Sequence, residues 1–176
     1  MNIIDGLLAE LEQEAETTQR VLERIPQEHL SWRPHPKSMS LGQLALHVAT
    51  VPGNVAELAA RDLVPYPPSF GQPEAATASE LVPSLKDTVA RAKRALGGFD
   101  DAKMGATWRL QADGRDIIAM PRVAVVRTIM LNHWYHHRGQ LLVYLRLLNL
   151  PVPSVYGPSA DENPFAAAVN ENAAVS

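Results

Sequence analysis

His133 and His137 stand four residues apart. On an α-helix that spacing places both imidazoles on one face, one turn apart. Two neutral ring nitrogens so placed can bind a single divalent ion. The spacing by itself is a weak signal, because histidine pairs four apart also arise by chance. Two features strengthen it. Both residues fall on a stripe that otherwise reads Val123, Val126, Met130, Leu141, Tyr144 and Leu148. A buried imidazole needs a partner for each nitrogen, and a metal ion can supply one. His47 lies on an earlier stripe, beside Leu44 and Val51, from which it can face the last helix. Three inward histidines from two helices would form the protein share of an open, catalytic-type metal site. The plain alternative is a core histidine satisfied by hydrogen bonds, the commoner fate of a single inward residue such as His47. His136 competes with His137 for the pairing with His133, but His137 fits the stripe better. His29 and His35 fall in a proline-rich connection and are expected in solvent.

The elements that must position these residues are legible in the periodicity. Residues 2–25 repeat Ile4, Leu8, Leu11, Ala15, Thr18, Leu22 and Ile25 at steps of three and four, with Glu10, Glu12, Glu14, Glu16, Arg20 and Glu23 on the remaining surface. Pro26 ends the pattern, and three prolines make residues 26–39 a connection. Ser40 is a candidate N-cap, with Gln43 in place of the usual capping-box acid. Leu41, Leu44, Val48, Val51, Val55 and Leu58 follow, and Pro52 predicts a kink or short break near Gly53. Residues 65–73 form a second proline-rich loop. A third helix starts near Thr77 or Ser79, buries Leu81, Leu85, Val89, Ala92 and Leu96, and stops at Gly97-Gly98. Within residues 106–119, Asp113-Gly114 between short extended stretches predicts a hairpin lying on the helices. Pro121 opens a last helix that runs to about Asn149, before Pro151. The expected architecture is all-α, an antiparallel four-helix bundle with a hairpin-like insertion before the last helix. It forms one domain over residues 1–165 with a flexible tail over 166–176.

Composition narrows the chemistry. The chain has 176 residues, 46% hydrophobic and 20% charged, ordinary values for a globular domain. A formal net charge of -3 gives no general attraction to nucleic acid or to an anionic membrane. No apolar run reaches membrane-spanning length, the acidic start does not read as a signal peptide, and a cytoplasmic location is expected. With no cysteine, the chain itself can supply neither thiolate ligand nor thiolate nucleophile. The glutamate-x-x-histidine repeat of di-iron bundles, the His-Glu-x-x-His protease signature, Gly-x-Ser-x-Gly, the Walker loop and the dinucleotide glycine pattern are all absent. Residues 121–150 contain no acid but carry Arg122, Arg127, Arg138 and Arg146. These arginines can draw in an anionic cosubstrate or serve as surface or dimer charges. Trp134, Tyr135 and Tyr144 read as packing residues, Asn132 and Gln140 as candidates to orient ligand imidazoles. Asp161 can fold back toward the site or cap another group.

Three stretches resemble the DinB/YfiT-like (damage-inducible) metalloenzyme family. Ser40-Leu41-Gly42-Gln43-Leu44-Ala45-Leu46-His47 is similar to its first ligand helix. Asn132-His133-Trp134-Tyr135-His136-His137-Arg138-Gly139-Gln140-Leu141 is similar to its second, and Tyr156-Gly157-Pro158-Ser159-Ala160-Asp161 to a tail found in many members. The resemblance implies a four-helix bundle holding one divalent ion, zinc or nickel first and iron as a further choice, through His47, His133 and His137. It also implies a homodimer. Among relatives it implies thiol-dependent S-transferases that use a low-molecular-weight thiol, and hydrolase-like enzymes. A noncatalytic, stress-associated protein with a structural metal is the alternative. The family name carries no implication of DNA binding.

Overall fold

The computed structural model describes residues 2–67, 69 and 71–166, so all but the first residue of the expected tail lies outside the described residues. Six α-helical segments and a small sheet follow in the order α1 (Ile3–Leu22), α2 (Leu41–Ala60), β1 (Leu63–Pro65), α3 (Leu81–Leu96), α4 (Asp101–Gly105), β2 (Thr107–Ala112), β3 (Arg115–Pro121), α5 (Arg122–Val125) and α6 (His133–Leu147). A π-helical segment, Val126–Asn132, joins α5 to α6 in one helical run.

Local chemistry explains the ends. The Ser40 hydroxyl accepts from Gln43 N at 3.1 Å while Gln43 Oε1 accepts from Ser40 N at 2.9 Å, the reciprocal box expected with glutamine as the reader. Asp101 reaches across to accept from Ile3 N, satisfying an open donor at the start of α1. At the end of α2 the buried Arg122 donates to the carbonyls of Ala59 and Arg61 and to Asp62, closing groups that the helix leaves unpaired.

The chain is mostly helical, and two expectations about its form are corrected. It is not all-α: the predicted hairpin forms, with Asp113 and Gly114 both at positive φ, but β1 adds to it in parallel to give a three-stranded sheet in the order β1-β2-β3. Leu63-Val64-Pro65 was too short and too close to prolines to read as a strand. Trp108 fixes the sheet to the helices, its indole donating to Leu58 O at the end of α2. Second, no short break forms near Gly53: α2 is continuous through Pro52. The proline leaves the Val48 carbonyl without its usual donor, and the Trp134 indole donates to it instead, at 2.8 Å. One residue on, Gly53 N donates to the Thr88 hydroxyl, which in turn donates to Thr50 O. The polar groups a break would have exposed to water are thus satisfied from α3 and α6.

Small residues let the helices meet closely. Ala45, Ala49, Ala56 and Ala59 on α2 are buried, and α1, α2, α3 and the last helical run share one core. The closest approach is at Gly53, where a Cβ would stand 2.4 Å from Thr88 Oγ1 and 2.8 Å from Thr88 O. Gly6 on α1 has open space around it. Gly53→Ala is therefore expected to lower stability by about 1–3 kcal/mol through overpacking, whereas Gly6→Ala leaves it unchanged or raises it by about 1 kcal/mol through helix propensity. Urea unfolding of the two variants checks the contrast.

Candidate metal centre

The last helical run carries two of the three histidines, and its phase decides where they point. The stripe expected from a uniform 3.6-residue turn put His133 and His137 in the core. The buried residues of the run are Arg122, Val125, Val126, Met130, Leu131, Trp134, Arg138, Leu141 and Leu145, with neither histidine among them. The wide turns of the π segment delay the phase, so that after Met130 the core position falls on Trp134 rather than on His133. Both histidines are left at the half-buried margin of the core, beside the half-buried His47 from α2.

All three predicted residues converge. His47, His133 and His137 each offer a ring nitrogen within 4.8 Å of the others. His47 Nε2 and His133 Nε2 are 3.0 Å apart. Two nitrogens bound to one tetrahedral zinc stand about 3.3 Å apart, so this pair needs only a small adjustment to share an ion. The His47 and His137 rings meet edge to face with centroids 4.5 Å apart, as close as those of His133 and His137. The donor set is three imidazoles with no carboxylate, which suits zinc, nickel, iron or copper and is unsuited to magnesium or calcium.

The electrostatics keep these rings in the ligand form. Burial, reinforced by His137 and His133, pushes His47 down to about 4. Burial also lowers His133, with His137 and His136 adding to the effect. His137 is lowered by burial too, against a hydrogen bond to Gln140 that favours its charged form. Gln140 Oε1 lies 2.8 Å from His137 Nδ1. A proton placed on Nδ1 is held there, which leaves Nε2 as the free donor to an ion.

The remaining candidates separate cleanly. Gln140 takes the orienting role expected for it, while Asn132 is exposed and bonds to none of the three histidines among the described residues. The exposed His136 meets His137 edge to face, with centroids 5.0 Å apart, outside the three-ring cluster. His29 and His35 lie elsewhere; His35 Nδ1 accepts from Lys37 N within the connection. Trp134 and Tyr144 pack as expected, and Tyr144 additionally donates to Met39 O and meets Trp32 edge to face. Asp161 turns to Arg146 and Val152 N rather than to the histidines. The helical arginines are not free surface charges: Arg127 pairs with Glu10, Arg146 with Asp161, and Arg122 and Arg138 are buried.

Sequence reasoning missed the network directly behind the site. Glu14, placed among the surface acids of the first helix, points inward and pairs with Arg138 at 2.6 Å. Arg138 also donates to Thr18 Oγ1 and to the Tyr156 hydroxyl, which in turn donates to Glu14. The available signal was positional: Glu14 lies seven residues after Leu7 and four before Thr18, on the buried side of α1.

These features make the chain a mostly helical protein with a three-histidine cluster shared between two helices. The chain belongs to the DinB family, whose family model matches residues 1–164. It is 27% identical over 166 residues to the uncharacterised YrdA protein of Bacillus subtilis, covering 90% of this chain and 91% of that one. Among solved structures it is similar to a DinB-like protein from Bacillus cereus, with TM-score 0.67, 27% identity, and 87% and 97% of the two chains covered. It shares its fold with the DinB-like protein YjoA of Bacillus subtilis, with TM-score 0.65, 21% identity, and 85% and 96% covered.

The lowered histidines make a pH prediction for the metal-free protein. The unfolded chain takes up protons near the ordinary value of 6.5, before folded His47 does near 4. Folded stability is therefore complete above about pH 6.5 and is lost as pH falls through that window. Between pH 6.5 and 5 most carboxylates stay ionised, so loss there belongs mainly to histidines. Thermal melting with chelator present is expected to drop over this range, and to drop less in His47→Gln.

Proposed function

We propose that this protein is a metal-dependent enzyme that uses one divalent ion, zinc or nickel first and iron as a further choice, held by His47, His133 and His137. Its reaction is a transfer involving a low-molecular-weight thiol, or a hydrolysis, on a small-molecule substrate. The observation that carries this reading is that the three imidazoles are only half-buried and that one of them, His137, borders a cleft. A cleft of about 480 Å³ opens on His137, with Gln140 and Tyr144 in its wall. Three protein ligands leave a position for an exogenous molecule, as catalytic sites require and closed structural sites do not. When bound, the ion supplies Lewis acidity and lowers the pKa of a water or thiol that joins it. The chain's own residues do the rest: His47, His133 and His137 stay neutral and Gln140 orients His137. Any attacking sulfur must arrive with a cosubstrate, because the chain has no cysteine.

The structural-metal alternative is weakened by the bonds that already join the two ligand helices. Trp134 donates to Val48 O and both helices contribute residues to one core, so an ion there would add to contacts that already hold α2 against α6. No helix among the described residues is long and apolar enough to cross a membrane, in keeping with the cytoplasmic site of action we propose. A homodimer remains part of the proposal; the exposed Val143 and Leu147 on α6 offer apolar surface for it.

The test is turnover by zinc- or nickel-loaded protein against electrophiles offered with small thiols, and against esters and amides. Activity is expected with one of these panels, falling at least about a hundredfold in His47→Ala and His137→Ala. No turnover above that of metal-free protein, combined with a large loss of melting temperature on chelation, would favour the structural alternative.

A further inference from the structure

The cleft beside His137 has a charge that the proposed chemistry does not explain. Its walls include Arg33 and Lys37, from the connection between α1 and α2, together with Gln43, Gln72 and Gln140. Among the described residues no carboxylate lines it. Arg33 and Lys37 are both exposed, and neither forms an ion pair among the described residues. All four arginines of the last helical run are by contrast paired to acids. In a chain of net charge -3, this concave surface thus concentrates positive charge, and a dication held by three neutral imidazoles would add to it.

The backbone that carries the two cations is held in place. Lys37 N donates to His35 Nδ1 and Ser38 N to His35 O, which folds the tip of the connection on itself. Leu41 N donates to Trp32 O, and Trp32 meets the ring of Tyr144, whose hydroxyl donates to Met39 O. The connection is therefore anchored to α6 on both sides of Arg33 and Lys37, one turn and more beyond His137. Side chains carried on an anchored backbone lose less freedom on binding an anion than side chains on a mobile loop.

We infer that this cleft takes a small molecule bearing an oxyanion, a carboxylate or a phosphate, held between Arg33 and Lys37 with the rest of the molecule directed toward His137. The inference deepens the proposed function and rests on its reading of the cleft as the way to the reacting atoms. Arg33 supplies a planar fork for two oxygens and Lys37 a point charge, while the glutamine amides serve neutral parts of the same molecule.

The test follows backbone amide shifts of residues 33–39 and Gln140 in the full chain, metal-free and zinc-loaded, during titration with succinate, inorganic phosphate and the neutral succinamide. Saturable shifts are expected with succinate or phosphate, with succinamide at least about tenfold weaker. The tighter of the two anions tells carboxylate from phosphate. The surface double variant Arg33→Gln, Lys37→Gln is expected to lose the anion preference and to keep its zinc affinity. Equal binding of succinamide, absence of saturable shifts with both anions, or an unchanged preference in the double variant would overturn the inference. Zinc affinity is measured on the same samples. Anion binding without zinc binding would count against the metal reading alone, and zinc binding without anion binding against this inference alone.

Discussion

The indole N–H of Trp134 donates to the Val48 carbonyl, and that bond fixes how near the helix of His47 comes to the helix of His133 and His137. The acceptor is available because Pro52, four residues later, cannot donate to it. A residue that would ordinarily break α2 thus creates the docking point for α6, one residue after His47 on one side and one residue after His133 on the other. The site inherits its geometry from this contact. The π segment immediately before His133 does the complementary work, turning the run so that Trp134 enters the core and the two histidines stop at its edge. Histidines pointed fully into the core would have been closed to substrate, and histidines on the opposite face could not have met His47.

Position at the edge also sets the protonation state. The rings are buried enough that charge is disfavoured on each, and they stand close enough to disfavour it further on one another. Three neutral imidazoles at one edge of the core form a donor set that could hold a divalent ion. Behind them, Arg138 is buried against Glu14, Thr18 and Tyr156. Such a pair adds little net stability over an apolar substitute, but removing one partner costs about 3–5 kcal/mol. Its value here is register: it holds α6 to α1 and to the segment bearing Tyr156, directly next to His137.

The sequence carried the three-histidine cluster well, because i,i+4 histidines and a third histidine on a separate apolar stripe are properties of spacing. It also carried the Ser40-Gln43 cap and the Asp113-Gly114 turn, both of which are local. What escaped it was non-local. A uniform helical period cannot reveal a π segment, so the expected stripe put His133 and His137 where Trp134 and Arg138 are buried, and met the core again at Leu141. Pro52 announces an orphaned carbonyl, but not that Trp134, 86 residues away, will take it. Glu14 looks like its solvated neighbours until Arg138 is seen opposite. Leu63-Val64-Pro65 becomes a strand only because β2 lies beside it.

Everything functional rests on three imidazoles sharing one ion. X-ray absorption at the metal edge of stoichiometrically zinc-loaded protein tests that most directly. The proposed site predicts three imidazole nitrogens at about 2.0–2.1 Å together with at least one further light-atom ligand that exchanges for an added thiol. It also predicts one fewer imidazole in His47→Ala. A spectrum with fewer than three imidazoles, or one that His47→Ala leaves unchanged, would contradict the shared site.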